Sequence, residues 1–216
     1  MILTNFQKRF YTSIVLLSII FLIFKFNIIL VYFLIILGIF SILEFMDVTK
    51  RLSINLFLLY FINFIFIFYV FIFCLNFFLF SNLPGLKIIL LILLLACVAS
   101  DIGGFIFGKI FRGPKLTKIS PNKTYSGALG SIILSLTTVL FLTYYFVQLI
   151  DLKIVIVAIM TSIFCQIGDL TFSFLKRKAR LQDTGKILPG HGGILDRLDG
   201  ILLGVPLGFV TFVLIY

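Results

Sequence analysis

Residues 169–200 read Asp169-Leu-Thr-Phe-Ser-Phe-Leu-Lys-Arg-Lys-Ala-Arg-Leu-Gln-Asp-Thr-Gly-Lys-Ile-Leu-Pro-Gly-His-Gly-Gly-Ile-Leu-Asp-Arg-Leu-Asp-Gly200. The stretch holds Asp169, Asp183, Asp196 and Asp199 out of eight acidic residues in the whole chain, the chain's one histidine, His191, and its densest basic run. Long apolar segments lie on both sides. Charge placed between greasy helices is costly unless it is paired or used.

The 216 residues are 62% hydrophobic, and the mean hydropathy is +1.25. Soluble domains run near half apolar. The composition predicts an all-α polytopic integral membrane protein, one membrane domain over 1–216. Apolar runs place about seven transmembrane helices at about 10–24, 26–43, 53–80, 86–110, 126–149, 153–179 and 195–216. The second is expected to be ended by the polar cluster Glu44, Asp47, Lys50 and Arg51. The run 53–80 is long for one span and reads as one tilted helix, a helix plus an interfacial segment or a pair of spans, although no turn signal divides it. Residues 1–85 carry little motif content, so the chemistry is expected in 86–216. Basic residues mark cytoplasmic loops. With the N-terminus cytoplasmic, all Lys and Arg except Lys25, Lys87 and Lys153 fall inside, and both polar loops, 109–125 and 176–197, face the cytoplasm. The early apolar run has no small-residue cleavage site after it and reads as an uncleaved helix.

The net charge of +10 suits topology and an anionic partner; with little chain outside the bilayer, nucleic acid is not expected. Cys74, Cys97 and Cys165 lie in apolar segments without metal-ligand spacing.

Helical spacing puts Ser162, Gln166, Asp169, Ser173 and Lys176 on one face, which should meet other helices or a cavity rather than lipid. Asp169 and Lys176 lie roughly 10 Å apart along such a helix. In Pro189-Gly-His191-Gly192-Gly193 the glycines let backbone N–H groups approach a ligand, and the helix start that follows favours an anion. Asp196 and Asp199 then sit one turn apart with Arg197 beside them, which suits Mg²⁺ and phosphate oxygens. Asp101 is a carboxylate within an apolar run, a functional candidate or a structural partner. Gly104-x3-Gly108, and Ser126, Gly127, Gly130 and Ser131, read as close helix packing. His191 reads equally as a phosphate contact or a loop-shaping hydrogen bonder, and Asp183 as a cap or a loop organiser. No Ser-His-Asp or Cys nucleophile arrangement is present. Carboxylates, cations and a Gly-rich loop suit metal-assisted phosphoryl or nucleotidyl transfer.

The run Ser173-x-Leu-Lys176-Arg177 through Asp183-x-Gly-x2-Leu-Pro-Gly-His191-Gly-Gly-Ile-Leu-Asp196-Arg197-Leu-Asp199 resembles the signature of phosphatidate cytidylyltransferases, the membrane CDP-diacylglycerol synthases. Asp101-x-Gly103-Gly104 through Lys118-x-Ser120-Pro121-x-Lys123-Thr124 is similar to a second block of that family. The resemblance covers roughly 96–216. Gln182 stands where the family pattern has Lys, and Ser126 where it has Glu or Gln. The resemblance implies CTP and phosphatidate as substrates, at a cell (inner) membrane. It implies Asp169, Asp196 and Asp199 as metal ligands, with Asp169, Asp196, Lys176 and Arg197 catalytic. Lys123, Thr124, Ser173, Arg177, Asp183, His191, Gly192, Gly193 and Asp101 are the expected substrate-binding set. Membrane lipids surround the chain, and a homodimer is compatible with it. A CTP-using polyprenol kinase or archaeal-lipid cytidylyltransferase, a transporter and an inactive relative are the competing readings.

Overall fold

The computed structural model describes residues 18, 22, 23, 26–117, 120, 123–148, 150–185, 187 and 192–216. Its helices among these are α1 (Asn27–Lys50), α2 (Leu56–Ser81), α3 (Pro84–Phe111), α4 (Tyr125–Val147), α5 (Leu152–Lys178) and α6 (Leu195–Ile215). All six are long and apolar enough to cross a membrane. The chain is an all-α, multi-pass membrane protein. The helix expected over about 10–24 lies outside the described residues, except for Ser18, Leu22 and Ile23, which are helical.

The run 53–80 is one continuous helix, α2. One expected boundary is wrong. Helix α1 does not stop near residue 43 but runs on through Glu44 and Asp47 to Lys50, with Arg51 as its C-cap. Glu44 is 4% exposed. Its burial is tolerated because hydrogen-bond donors meet its carboxylate there, as described below.

The chain divides into two compact units. One holds the described residues through Asn82 together with Leu175–Arg197. Here α1 and α2 pack through Phe45 stacked on Phe66 at 3.8 Å, and Thr49 Oγ1 donates to Asn63 Oδ1 at 2.8 Å. Buried Val48, Leu52 and Ala179 form a small core with Leu175 and Leu181 against it. That core fixes the end of α5. Arg180 takes a left-handed conformation (φ 57°), the Leu181 N–H reaches the Lys176 carbonyl at 2.8 Å, and the Arg180 N–H reaches the Arg177 carbonyl at 3.1 Å. This is a Schellman stop, with Leu175 and Leu181 on its two sides packed against the same small core.

The other unit holds Leu83–Phe174 and Leu198–Tyr216. Proline at the first position starts α3, where its missing N–H costs nothing. Helices α3 and α4 lie backbone to backbone, as the glycine pattern predicts. A Cβ on Gly104 would meet Ser131 Oγ at 2.7 Å; one on Gly103 would strike the Gly130 carbonyl, and one on Gly130 the Phe107 side chain. Ser131 Oγ donates to the Ser100 carbonyl at 2.7 Å. Helix α6 approaches as closely through Gly200, Gly204 and Gly208, which face Cys165, Cys97 and Thr161. The polar face of α5 turns inward. Ser162 Oγ is 2.9 Å from Ser100 Oγ, and Gln166 Nε2 donates to the Ala128 carbonyl at 3.3 Å.

Candidate functional site

In the second unit the polar centre is Asp169. Lys123 Nζ donates to its Oδ2 at 2.9 Å, and each side chain is about a quarter exposed. The loop before α4 delivers Lys123. It folds back on itself through an antiparallel bridge between Lys115 and Thr124, with the Leu116 N–H on the Lys123 carbonyl at 2.8 Å and the Tyr125 N–H on the Pro114 carbonyl at 3.1 Å. Thr124 ends the loop by capping α4. Its Oγ1 accepts from the Gly127 N–H at 3.1 Å and lies 3.0 Å from Ser126 Oγ. Ser126 in turn accepts from the Gly113 N–H at 3.3 Å. The short side chain at 126 therefore ties the loop together.

Asp169 Oδ1 has no hydrogen-bond partner among the described residues, and the Cβ position of Gly200 is 3.4 Å from it. A Cβ on Gly168 would strike the Asp199 carbonyl. These two glycines let the backbone at 199–200 lie against that at 168–169. Asp199 is 8% exposed, and its Oδ1 accepts from the Gly200 N–H at 2.9 Å. Asp101 is exposed, and Cys165 Sγ lies 3.7 Å from its Oδ1 as a donor.

In the first unit the polar centre is Asp196. Lys176 Nζ donates to its Oδ1 at 2.7 Å, with side-chain exposures of 12% and 6%. Its Oδ2 accepts from the Thr184 N–H at 2.8 Å and from the Gly193 N–H at 3.0 Å. Gly192 has φ +81°, a left-handed conformation that suits glycine; a Cβ there would lie 3.0 Å from Asp196 Oδ2 and 3.3 Å from Asp183. Ser173 is half-buried, and Gln182, Asp183, Arg177 and Arg197 are exposed. Arg177 Nη1 donates to the Leu181 carbonyl at 3.2 Å. His191 lies outside the described residues, as do Lys118, Pro121, Pro189 and Gly190.

A residue not singled out from the sequence completes this cluster. Glu44 Oε2 accepts from Thr184 Oγ1 and from the Leu195 N–H, both at 2.8 Å, and Oε1 accepts from the Ile194 N–H at 3.0 Å. The helix start at 194–195, expected to favour a ligand anion, is met by a protein carboxylate. Helix dipole and unsatisfied N–H groups favour negative charge there whatever its source. A carboxylate inside an apolar run was the available signal, the same one that marks Asp101.

Among the described residues no group of three or more His, Cys, Asp or Glu side chains stands ready to hold a metal. Mg²⁺ does not require one, since it commonly takes one or two carboxylates with phosphate oxygens and water. Asp169 and Asp199, hard oxygen donors on adjoining stretches of one unit, fit that chemistry. Asp196 fits it less well, because both its oxygens already hold donors.

Residues 61–215 match the cytidylyltransferase family. A Helicobacter pylori protein named phosphatidate cytidylyltransferase is 42% identical over 112 residues, 52% of this chain and 42% of that protein. Proteins of the same name from Mycobacterium leprae and Staphylococcus epidermidis are 37% and 40% identical, over 51% and 57% of this chain. The matches span 36% of the first and 48% of the second, so the chain spans less than half the length of these curated relatives. A carboxylate–lysine pair in each unit, a glycine-bearing loop tied to Asp196 and a match over most of the sequence agree: the chain belongs to the cytidylyltransferase family.

Proposed function

We propose that the chain transfers CMP from CTP to phosphatidate, giving CDP-diacylglycerol and pyrophosphate at the cytoplasmic face of the cell membrane. A phosphate oxygen of the lipid attacks the α-phosphorus of CTP. The bond from that phosphorus to the bridging oxygen breaks, and pyrophosphate leaves. No covalent enzyme intermediate is required, so the protein's work is positioning and charge neutralisation.

The observation that carries the reading is the pairing of lysine with carboxylate in both units, Lys123 with Asp169 and Lys176 with Asp196. The first pair offers a carboxylate to a cation and an ammonium to a phosphate; the second offers its ammonium to a phosphate, with Asp196 holding the lysine in place. A metal–phosphate ligand can replace the internal pairing without leaving a bare charge.

Asp169 and Asp199 are the residues that would hold Mg²⁺. When bound, the ion supplies neutralisation of charge developing on the transferring phosphate. Lys123, Lys176, Arg177 and Arg197 contribute compact or forked cations to phosphate oxygens. Asp196 holds Lys176 and both ends of the segment 184–193, and so sets where the lysine stands. Thr124, Ser173, Asp183, His191, Gly192, Gly193 and Asp101 remain the proposed substrate contacts. Ser173 and the loop N–H groups that protein carboxylates do not hold are donors toward phosphate. The acyl chains stay among the membrane lipids.

Purified protein, CTP and phosphatidate with Mg²⁺ test the reading. Pyrophosphate and CDP-diacylglycerol should form in equal amounts. CDP in place of pyrophosphate would make the chain a lipid kinase and sink the proposal.

A further inference from the structure

Glu44 lies outside the residues that match the family, 61–215, yet reaches the loop on which the proposed chemistry depends. Its carboxylate is buried at 4% exposure and accepts three hydrogen bonds, from Thr184 Oγ1 and the N–H groups of Ile194 and Leu195. Those donors come from both ends of the loop that joins α5 to α6. Asp196 holds the neighbouring donors, Thr184 N–H and Gly193 N–H, through Oδ2. Thr184 is therefore gripped twice, by hydroxyl and by amide, from two different carboxylates.

The glycines of the loop fit around this group. A Cβ on Gly185 would strike Glu44 Oε1 and lie 2.8 Å from Cδ. A Cβ on Gly193 would strike Glu44 Oε2 and Thr184 Oγ1. The space that a side chain would need at either position is filled by the carboxylate. Thr184 on one side and Gly193, Ile194 and Leu195 on the other are thus tied together through the carboxylates of Glu44 and Asp196.

We infer that Glu44 is a positioning residue for CTP binding. It touches no reacting atom; it fixes the base of the loop that carries Gly192 and Gly193 and the start of the helix that carries Asp196 and Arg197. The inference rests on the reading of that loop as part of a CTP-using site. A positioned binding loop loses affinity when its stem is freed, because the ordering must then be supplied at binding.

The test is a set of variants in the full chain, assayed per folded protein. Glu44→Gln keeps the shape but replaces one acceptor oxygen with an NH2 donor that faces other donors. KM for CTP should rise about tenfold, with a smaller change in kcat. Thr184→Val removes only the hydroxyl donor and should raise KM by a lesser factor, about threefold; it carries the test if Glu44→Gln does not accumulate. A second measurement is independent of catalysis. A cysteine at Ile194, a position 7% exposed, should resist maleimide in the parent chain and react at least about ten times faster with Glu44→Gln or Thr184→Val. Unchanged KM for CTP in these variants, with an active parent, overturns the inference, whether or not labelling changes. Unchanged labelling overturns it as well. If the parent releases no pyrophosphate from CTP, the proposed function has failed instead, and the labelling result still decides whether Glu44 holds the loop.

Discussion

Lys176 and Asp196, twenty residues apart in sequence, meet at 2.7 Å with both side chains nearly withdrawn from solvent. The pair joins the last turn of α5 to the first turn of α6. A buried pair is expensive to break from one side, because the remaining charge is left without a partner.

Asp196→Asn should therefore lower stability by about 3–5 kcal/mol and loosen the loop, on top of any effect on turnover. Lys176→Gln with Asp196→Asn should cost less than the two single losses added. Unfolding in detergent, run as a double-mutant cycle, measures the difference. Strictly additive losses would show that the pair contributes nothing as a pair.

Asp169 carries the sharper catalytic expectation. Asp169→Asn keeps size and hydrogen bonding but removes the charge that a divalent ion needs. Turnover should fall by several orders of magnitude, since each ~1.4 kcal/mol lost is tenfold. Lys123 loses only its partner, and both groups are partly hydrated, so the fold should hold. Specific activity across a Mg²⁺ titration reads this out; near-parental activity at limiting Mg²⁺ would remove Asp169 from the metal.

The glycine contacts between α3 and α4 predict a steep steric contrast. Gly130→Val drives a side chain into Phe107 and should cost about 1–3 kcal/mol or block assembly. Gly85→Ala, with nothing within 4 Å of its Cβ, should be neutral or gain about 0.5–1 kcal/mol from helix propensity. Thermal unfolding of the two variants side by side gives the comparison; equal stability would contradict the close approach.

Topology is tested by cysteines at Lys115 and Gln182, both exposed in the described loops. Each should be protected from impermeant reagent in intact cells and labelled in opened ones. Labelling of either from outside would reverse the orientation that the basic residues imply.

The helices were legible because apolar length and glycine punctuation are local signals. The inward face of α5 was legible too, since Ser162, Gln166 and Asp169 share a helical period that lipid would penalise. Glu44 was not. Read locally, an acid near Asp47, Lys50 and Arg51 marks the end of a span; its donors stand 140 to 151 residues further on. Asp196 was seen but only half read. A carboxylate in the first turn of a helix serves a metal or backbone N–H groups equally well, and only the folded loop shows Thr184 and Gly193 already bound to it. Thr124 has the same double meaning, phosphate donor by motif and helix cap by geometry.

The long reach of Glu44 bears on how the chain is made. Synthesis runs from the N-terminus, so α1 exists well before Thr184, Ile194 and Leu195 do. Until then its carboxylate has none of the three donors that satisfy it in the finished protein. A bare acid in a membrane helix is costly to hold. Arrival of the stretch 184–195 relieves that cost, which makes its closing onto Glu44 a late step with its own driving force. A chain cut short before residue 184 holds that carboxylate with none of the three donors that meet it in the full-length fold.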